Sequence, residues 1–469
     1  MHLRRRPARD EGGAVAILVA CSLVVLGMSC ALAVDLGNVA QLHRHAEATV
    51  DDAAISGADL LEQGTDTLAQ VVSATETYVD ENWRNLPPSA WDTCPDIPTG
   101  FAAPSGSGED CVTFSPGARV ISVELPPQSV PFTVARLGGF TSGTVEASAT
   151  AVITPGISPC ALCVLSPSGT SLLDSGNGTF QVTDGPGSGN AGITVDSNTT
   201  TGNGALYDNG SGTIIAPEIG VVGSYSQKHA ATVQPTPTTG VQPVPDPLGA
   251  LPPPTPVTNN IPSASYSCNS NCGTLPSGTY GNVSLTGGAT LDIPPGNYNN
   301  ISVGGNALLT LETGTYFING AFSVGGTGGA SVQESAGVLL YFTCGTATQL
   351  SACASGGAAG GSLSLTGTGS MTLAPQTTGT YANLTVFYDR NNNAPMSLSG
   401  TPGMELSGTI YAKDAPLSLN GTGTTIESLI IVNTATINGN GTLGVNYTAS
   451  QNVAPPGVPY LCSTTANNC

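Results

Sequence analysis

A repeat with a period of 18 residues lies between positions 277 and 324 and limits the folds open to this chain. Three Gly-x-Tyr tripeptides, ending at Tyr280, Tyr298 and Tyr316, mark this repeat. The same register aligns four apolar pairs: Val283 with Ile301, Leu285 with Val303, Leu291 with Leu309, and Ile293 with Leu311. A short fixed period with aligned apolar positions is typical of a β-solenoid, in which each coil buries its apolar face on the next. The register also predicts that the three tyrosines stack along one side.

The composition of the remaining chain favours the same architecture. Only 9% of the residues are charged and 5% are aromatic, whereas 61 of the 469 residues are glycine and 39% are apolar. Short apolar runs between Gly-Asn and Gly-Thr turns continue on both sides of the repeat, as expected of strands joined by tight turns. We therefore predict a mainly β protein with a right-handed parallel β-helix-like solenoid, in two parts over residues 156–232 and 263–450.

The two predicted parts are separated by residues 233–262, which contain ten prolines and no strand pattern. Polyproline II conformation would make this segment a semi-rigid spacer. It is predicted to be either a linker that joins two solenoids or a strap that runs along one of them. Residues 451–469 are predicted to form a C-terminal tail.

Residues 12–34 form a segment of 23 residues without a charged side chain. As a helix this segment spans about 34 Å, enough to cross a hydrocarbon layer of about 30 Å. Arg4, Arg5, Arg6 and Arg9 precede it, so the positive-inside rule makes residues 1–11 a cytoplasmic basic tail. We predict a single-pass protein of the cell membrane, with its N-terminus in the cytoplasm and its body extracytoplasmic, at the cell surface.

Three kinds of processing are compatible with this segment. An uncleaved signal anchor fits its length, which exceeds the apolar region of a signal peptide. The tripeptide Ala31-Leu32-Ala33 resembles a signal-peptidase site and would produce a secreted protein. Leu18-Val19-Ala20-Cys21 resembles a lipobox, in which a lipid on Cys21 would replace the membrane span.

A helix is predicted to continue from Leu36 to about Asn82, because small and apolar residues recur there at steps of three and four. This helix stripe consists of Val39, Leu42, Ala46, Val50, Ala53, Gly57 and Leu60. Its small residues would allow close approach of another helix. The stripe is therefore a candidate for helix–helix assembly, and the alternative is that it packs on the globular part of its own chain.

The N-terminal region resembles the TadG-like (TadE/TadG) Flp pilus-assembly proteins. The resemblance is carried by Asp10-Glu11-Gly12-Gly13-Ala14-Val15-Ala16, by Ala33-Val34-Asp35-Leu36-Gly37 and by the Ala- and Asp-rich stretch from Ala46 to Ala58. Residues 119–152, with Ala135-Arg136-Leu137-Gly138-Gly139-Phe140, look like the end of that N-terminal module. Residues 35–155 are accordingly predicted to be a TadG-like module made of the helix and a small β module.

This resemblance implies a part in Flp (tight-adherence) pilus assembly or in surface attachment. Cleaved type IV-like pilins carry a Glu five residues after a Gly cleavage site, but here Ile17 and Leu18 follow Gly12 and Gly13 at that distance. The departure favours a TadG-like role over that of a pilin subunit. The Gly-rich β regions also resemble those found C-terminal to TadG-like N-termini in bacterial surface proteins.

Ten of the twelve cysteines lie outside the membrane segment, as five neighbouring pairs. These candidate disulfide pairs are Cys94 and Cys111, Cys160 and Cys163, Cys268 and Cys272, Cys344 and Cys353, and Cys462 and Cys469. An even number of cysteines in an exported protein favours disulfides, although spacing alone leaves the connectivity open. For the Cys160-x-x-Cys163 spacing, a structural bridge, a redox site and a zinc site shared with Cys268 and Cys272 are the alternatives.

The side chains needed for other functions are scarce. The chain has a net charge of −20 and 11 Lys and Arg residues, so nothing after the basic tail offers a phosphate-binding patch, and nucleic-acid binding is excluded. Asp389-Arg390-Asn391-Asn392-Asn393 opens like a calcium loop but lacks its glycine and glutamate, so an Asn-rich turn is predicted. The sequence predicts no catalytic residue, no metal and no cofactor.

The leading hypothesis is a membrane-anchored, non-catalytic bacterial surface protein with an acidic, disulfide-bonded solenoid. Its predicted partners are the lipid membrane, through one helix, and either pilus-assembly machinery or surface glycans. One alternative is a secreted carbohydrate-binding β-helix adhesin. The other is a β-helix glycan-active enzyme, which requires a cleft lined by carboxylates.

Overall fold

The structure is a computed structural model that describes residues 12–63, 67–84, 86–94, 98–104, 111–115, 120–154, 158, 160–185, 189, 191–228, 230–400, 404–421, 424–454 and 458–462. Strands make up 42% of it, and one long apolar helix lies near the N-terminus, so the prediction of a mainly β protein with such a helix is confirmed. The chain divides into two compact units. Unit 1 comprises Met1–Pro155 and Pro456–Cys469, and unit 2 comprises Gly156–Pro455.

In chain order the helices are α1 (Gly12–Gln63) and α2 (Leu68–Asn82), with 3-10 turns at Pro88–Ala90, Ala135–Gly138 and Ala449–Gln451. The strands are β1 (Val112–Phe114), β2 (Val120–Pro131), β3 (Ser142–Thr154), β4 (Cys160–Val164), β5 (Leu172–Asp174), β6 (Thr179–Asp184), β7 (Gly192–Val195), β8 (Leu206–Asp208), β9 (Thr213–Ile215), β10 (Ile219–Val221), β11 (Tyr225–Gln227), β12 (Thr232–Gln234), β13 (Thr238–Thr239), β14 (Ser265–Cys268), β15 (Asn271–Thr274), β16 (Asn282–Leu285), β17 (Thr290–Ile293), β18 (Gly296–Tyr298), β19 (Asn300–Val303), β20 (Leu308–Leu311), β21 (Gly314–Ile318), β22 (Ala321–Val324), β23 (Ser331–Glu334), β24 (Val338–Phe342), β25 (Cys344–Thr346), β26 (Gln349–Ser351), β27 (Ser362–Leu365), β28 (Ser370–Leu373), β29 (Leu384–Tyr388), β30 (Met396–Gly400), β31 (Glu405–Leu406), β32 (Thr409–Gly421), β33 (Thr424–Ile426), β34 (Ile430–Gly439), β35 (Thr442–Tyr447) and β36 (Val458–Leu461).

Unit 1 packs the C-terminal half of α1 and the whole of α2 against an antiparallel sheet with the strand order β1-β2-β3-β36. The single helix expected from Leu36 to about Asn82 is divided in two. Thr67 caps the start of α2, where its N–H donates to the Gln70 side-chain oxygen over 2.8 Å. This reciprocal capping box satisfies N–H groups that a new helix would leave free, so the sequence can start a second helix there.

The C-terminal region differs from the tail expected over residues 451–469. Val458–Leu461 form β36, which pairs antiparallel with β3 and places Leu461 opposite Ala151. The segment is too short to show the alternation that identifies a strand in a sequence. It becomes a strand because the edge of β3 offers unpaired N–H and C=O groups.

Unit 2 is built from parallel strand ladders, and the 18-residue register of the sequence is confirmed in them. Strand β16 pairs with β19 and β17 with β20. All four predicted apolar pairs lie opposite each other, from Val283 with Ile301 to Ile293 with Leu311. The tyrosines follow the prediction in part, because Tyr298 stacks on Tyr316 at 5.9 Å whereas Tyr280 packs on Tyr266.

The two Gly-rich stretches belong to one unit, because the second stretch ends on the beginning of the first. Strand β34 pairs in parallel with both β4 and β5, with Ile430 opposite Leu162 and Ala435 opposite Leu172. The strands after β4 continue the ladder through β7 and β10 to β13. The strands from β14 to β32 lie on the other side of β34, away from β4 and β5.

The proline-rich segment lies along unit 2 as a strap. The Arg390 guanidinium donates hydrogen bonds to the carbonyl oxygens of Leu248 (2.6 Å) and Leu251 (2.5 Å). The Tyr411 hydroxyl donates to Asp246 over 2.7 Å, and Leu248 is only 2% exposed. These contacts make residues 240–262 a strap, whereas residues 233–239, for which no strand was predicted, contain the end of β12 and the whole of β13.

Among the described glycines of α1, Gly57 is the one with the least room for a side chain. A Cβ atom at this glycine would lie 2.6 Å from Cδ1 of Ile121 and 2.8 Å from Oγ1 of Thr75, and both of these side chains are buried. Gly37, in the same helix, has open space around it. We expect Gly57→Leu to lower the free energy of unfolding of unit 1 by about 1–3 kcal/mol through overpacking.

The measurement is the thermal unfolding midpoint of the full chain in detergent, followed by the near-ultraviolet signal of Trp83 and Trp91. Gly37→Leu is the matched control, and we expect it to leave the midpoint unchanged or slightly raised because leucine favours helix more than glycine does. Equal midpoints for the two variants would contradict the packing described for Gly57.

Arg390 provides a second test, on the strap. Arg390→Met removes both hydrogen bonds to Leu248 and Leu251 and leaves two carbonyl groups without a charged donor, at a cost of about 1–3 kcal/mol. We expect limited proteolysis, mapped by mass spectrometry, to cut residues 240–262 at least about tenfold faster in this variant. Lys413→Met removes the same charge from unit 2 and should leave the rate unchanged. Equal rates for the two variants would show that Arg390 does not fasten the strap.

Candidate membrane-contacting site

The first part of α1 is an apolar helix surface that the described part of the chain leaves largely uncovered. Its large side chains are 40–67% exposed from Val15 to Leu36. This helix is long and apolar enough to cross a membrane. Burying such a surface in lipid removes it from water, so we call Val15–Val34 the apolar segment and treat it as the candidate site.

Asp35 ends the apolar segment and joins it to the tip of the β2–β3 hairpin. Its Oδ1 accepts hydrogen bonds from the N–H (3.1 Å) and the hydroxyl (3.0 Å) of Thr133. Its Oδ2 accepts from the N–H groups of Val134 (2.9 Å) and Ala135 (2.6 Å). Four donors thus converge on one carboxylate that is only 3% exposed, immediately beside the predicted span of residues 12–34.

These donors determine the ionisation of Asp35. The hydrogen bond from the Ala135 N–H, with those from Thr133 and Val134, lowers the pKa of Asp35 from 3.8 to about 2, although burial acts in the opposite direction. The carboxylate is therefore charged at neutral pH. It acts as the N-terminal acceptor for the 3-10 turn Ala135–Gly138, where backbone N–H groups have no partner within the turn.

The hairpin tip and the apolar segment enclose a cleft with a volume of about 440 Å³. Its walls are Val24, Gly27, Met28, Ala31 and Leu32 from α1, and Val134, Ala135 and Phe140 from the tip. These side chains are apolar, so the cleft suits hydrocarbon rather than a polar ligand.

Two alternatives were given for the helix stripe, and the structure has the second: the stripe packs on the globular part of its own chain. Ala46, Val50 and Ala53 are fully buried, Gly57 is buried, and Val39, Leu42 and Leu60 pack at the edge of the same core. Their neighbours include Val71 of α2 and Ile121 of β2. In this structure the stripe is consequently not open to a partner helix.

Four of the five candidate cysteine pairs are brought together as disulfides. Their Cα–Cα distances are 5.1 Å for Cys94–Cys111, 5.4 Å for Cys160–Cys163, 6.4 Å for Cys268–Cys272 and 4.9 Å for Cys344–Cys353. Cys462 is also disulfide-bonded, and its predicted partner Cys469 lies outside the described residues. Cys21 and Cys30 in the apolar segment are free thiols.

The structure shows where the Cys-x-x-Cys motif and the Asn-rich motif lie. Cys160 and Cys163 are fully buried within β4 rather than at the start of a helix, the position that lowers a thiol pKa in redox sites. Asn392, in the motif compared with a calcium loop, is fully buried and accepts hydrogen bonds from the N–H groups of Gly360 (2.9 Å) and Ala394 (3.0 Å). This segment is the predicted Asn-rich turn.

Buried carboxylates were not predicted. Asp174 and Asp208 are paired in register on β5 and β8 and are 2% and 0% exposed. Burial raises the pKa of Asp174 to about 6, and the Asp208 carboxylate adds to the shift. The motif Asp-x-Gly-x-Gly, which begins at both residues, is the signal that could have identified them.

Asp35 was also missed as a structural group, although it was quoted within the family resemblance. A carboxylate directly after a long uncharged segment is a detectable signal. Its partner, however, lies 98 to 100 residues away in the sequence, at Thr133 to Ala135.

Comparison with known proteins gives no match to a family model, to a curated protein or to a solved structure.

The hydrogen bonds to Asp35 can be tested directly. We expect Asp35→Asn to increase amide hydrogen exchange at Thr133, Val134 and Ala135 by about tenfold or more, because an amide offers one acceptor oxygen where the carboxylate offers two. Asp52→Asn, at an exposed position of the same helix, should leave these amides protected. Unchanged exchange in Asp35→Asn would contradict this role.

The lowered pKa of Asp35 makes the protection of these amides depend on pH. A lowered folded-state pKa stabilises the fold above the unfolded value of 3.8, and this contribution is lost as the pH falls toward about 2. Protection factors at the three amides should therefore hold above about pH 4 and decline between about pH 4 and 2 in the native protein.

Proposed function

We propose that this protein is a single-pass, membrane-anchored surface protein of the TadG-like type, with its body outside the cytoplasm and without catalytic activity. The observation that carries the proposal is the largely uncovered apolar segment Val15–Val34, which leads directly into the rest of unit 1. An exposed apolar surface of this size in a folded protein indicates an interaction with lipid or with another protein. Its length and lack of charge favour a membrane span.

The orientation and the family role rest on the sequence. Arg4, Arg5, Arg6 and Arg9 favour a cytoplasmic N-terminus. The resemblance of residues 10–58 to TadG-like proteins supports a part in Flp pilus assembly or in surface attachment. The disulfides of both units suit an oxidising, extracytoplasmic location.

The body of the protein is proposed to be a right-handed β-solenoid. The parallel ladders with a register of 18 residues between β16 and β19 support repeated coils. Parallel strands joined by crossover connections are right-handed in nearly all proteins, which supports the handedness. Such a body would serve as a rigid spacer or as an adhesive surface for glycans or pilus components.

The absence of catalysis is proposed from the chemistry of the acidic residues. Asp174 and Asp208 are buried within a glycine-rich turn, where their Oδ1 atoms accept hydrogen bonds from the N–H groups of Gly176 (2.7 Å) and Gly210 (3.2 Å). Carboxylates that cleave glycans must instead face a cleft that holds the sugar.

The first experiment is fractionation of the producing cells, with the N-terminus and mass of the mature chain measured. We expect an intact chain in the membrane fraction that resists extraction at high salt. Cleavage after Ala33, with the protein in the medium, would overturn the anchor and favour the secreted adhesin. A lipid on Cys21 would replace the helix as the anchor.

Two double variants test whether the apolar segment spans the membrane. Leu18→Arg with Val25→Arg places two charges in the apolar segment, each costing about 3 kcal/mol at the centre of a bilayer, and should remove the chain from the membrane fraction. Gln41→Arg with Ala48→Arg adds the same charge to exposed positions of α1 beyond the segment and should have no effect. Equal membrane recovery of both variants would contradict a membrane-spanning helix.

A further inference from the structure

The β2–β3 hairpin tip, Thr133–Phe140, lies beside the C-terminal half of the apolar segment, between the levels of Val24 and Asp35. Phe140 and Val134 share a cleft with Val24 and Met28 of α1. Met28 precedes Asp35 by seven residues and Val24 by eleven, which correspond to about 10 and 16 Å along the helix axis. If Asp35 marks the outer end of the membrane span, the cleft that the tip shares with α1 extends below that end.

We propose that this hairpin tip enters the outer half of the lipid bilayer beside α1, with Phe140 and Val134 in contact with acyl chains. The proposal rests on the proposed function, because it requires α1 to span the membrane. The same helix residues cannot contact both hydrocarbon and a hydrated loop, so a span over residues 12–34 carries the tip into the lipid with it.

The side chains of the tip support this environment. Outside α1, three large apolar side chains in the described part of the chain are substantially exposed, and two of them are Val134 (38%) and Phe140 (61%) at the tip. Arg136 is exposed between them. Its long side chain can reach upward and place its charge among lipid phosphates, as Arg does near membrane surfaces.

The backbone of the tip is also suited to hydrocarbon, where an unpaired N–H is costly. The N–H groups of Thr133, Val134 and Ala135 donate to Asp35. The N–H of Phe132 donates to Thr141 (3.1 Å), that of Gly139 to Arg136 (3.1 Å) and that of Phe140 to Ala135 (3.2 Å). Gly139 closes the turn at a φ of +90°, a conformation that favours glycine.

The test measures contact with lipid at single labelled positions in the full chain. Cys21→Ser and Cys30→Ser remove the free thiols of the described residues. An environment-sensitive fluorophore is then attached at Phe140→Cys, or independently at Val134→Cys. The protein is reconstituted into phosphatidylcholine vesicles whose acyl chains carry doxyl quenchers, either near the headgroup or near the chain end.

Two control positions separate the tip from the anchor. Val19→Cys lies in the apolar segment and reports whether α1 is in the bilayer. Glu146→Cys is an exposed position on β3, six residues beyond Phe140 and about 20 Å along the strand, and reports the aqueous side. We expect labels at positions 19, 134 and 140 to be quenched several-fold more than the label at 146, and those at 134 and 140 more by the shallow quencher.

Quenching at position 19 without quenching at 134 and 140 would overturn the insertion of the tip and leave the anchor intact. No quenching at 19 would overturn the anchor itself. A blue-shifted but unquenched label at 134 and 140 would mean that another protein covers the tip, which also contradicts lipid contact. Because two tip positions are tested separately, a local folding defect at one of them does not decide the outcome.

Discussion

Unit 2 depends on the parallel pairing of β34 with β4 and β5. The first Gly-rich stretch places its later strands β7, β10 and β13 on one side of β4 only. The other side of β4 would be an open edge, with unpaired N–H and C=O groups that favour aggregation. The chain closes that edge by placing Ile430 of β34 opposite Leu162 of β4. Before this pairing can form, the chain must reach the far end of the strand order and add the strands from β14 to β34. Residues 240–262, the proline-rich strap that follows β13, make this connection to β14.

The strap contacts the end of a row of aromatic side chains that crosses some of the most apolar strands. Strands β24 and β29 are buried at every residue, unlike the alternating strands β16 and β19. Phe317, Tyr341, Phe387 and Tyr411 form a row across four paired strands, with successive ring centroids 5.7, 5.4 and 5.1 Å apart. At the end of this row Tyr411 donates to Asp246 of the strap, and Arg390 lies 6.0 Å from its ring. Continuous apolar runs are typical of parallel strands that are covered on both faces, and the strap contacts this row at Tyr411 of β32.

Unit 1 shows how one carboxylate connects a helix to a distant hairpin. The uncharged run before Asp35 identifies, from the sequence alone, a helix long and apolar enough to cross a membrane. The hydrogen bonds from Thr133, Val134 and Ala135 could not be inferred in that way, because their donors are backbone groups whose positions depend on the β2–β3 turn. The helix stripe likewise combines a feature that the sequence shows with one that only the structure shows. Its spacing showed a face to be buried, whereas only the packing of Ile121 and Thr75 around Gly57 shows what covers it.

The sequence by itself determined the long apolar helix, the mainly β composition, the 18-residue register and the neighbouring cysteine pairs that the structure joins. All of these depend on local periodicity or short spacing, which a linear pattern records directly. Only the tertiary structure decided that Val458–Leu461 form a strand beside β3, that residues 240–262 act as a strap, and that β34 meets β4. Each of these contacts joins residues far apart in the sequence. Their formation depends on which sheet edges and backbone groups remain unsatisfied after the local elements have formed, and no local pattern contains that information.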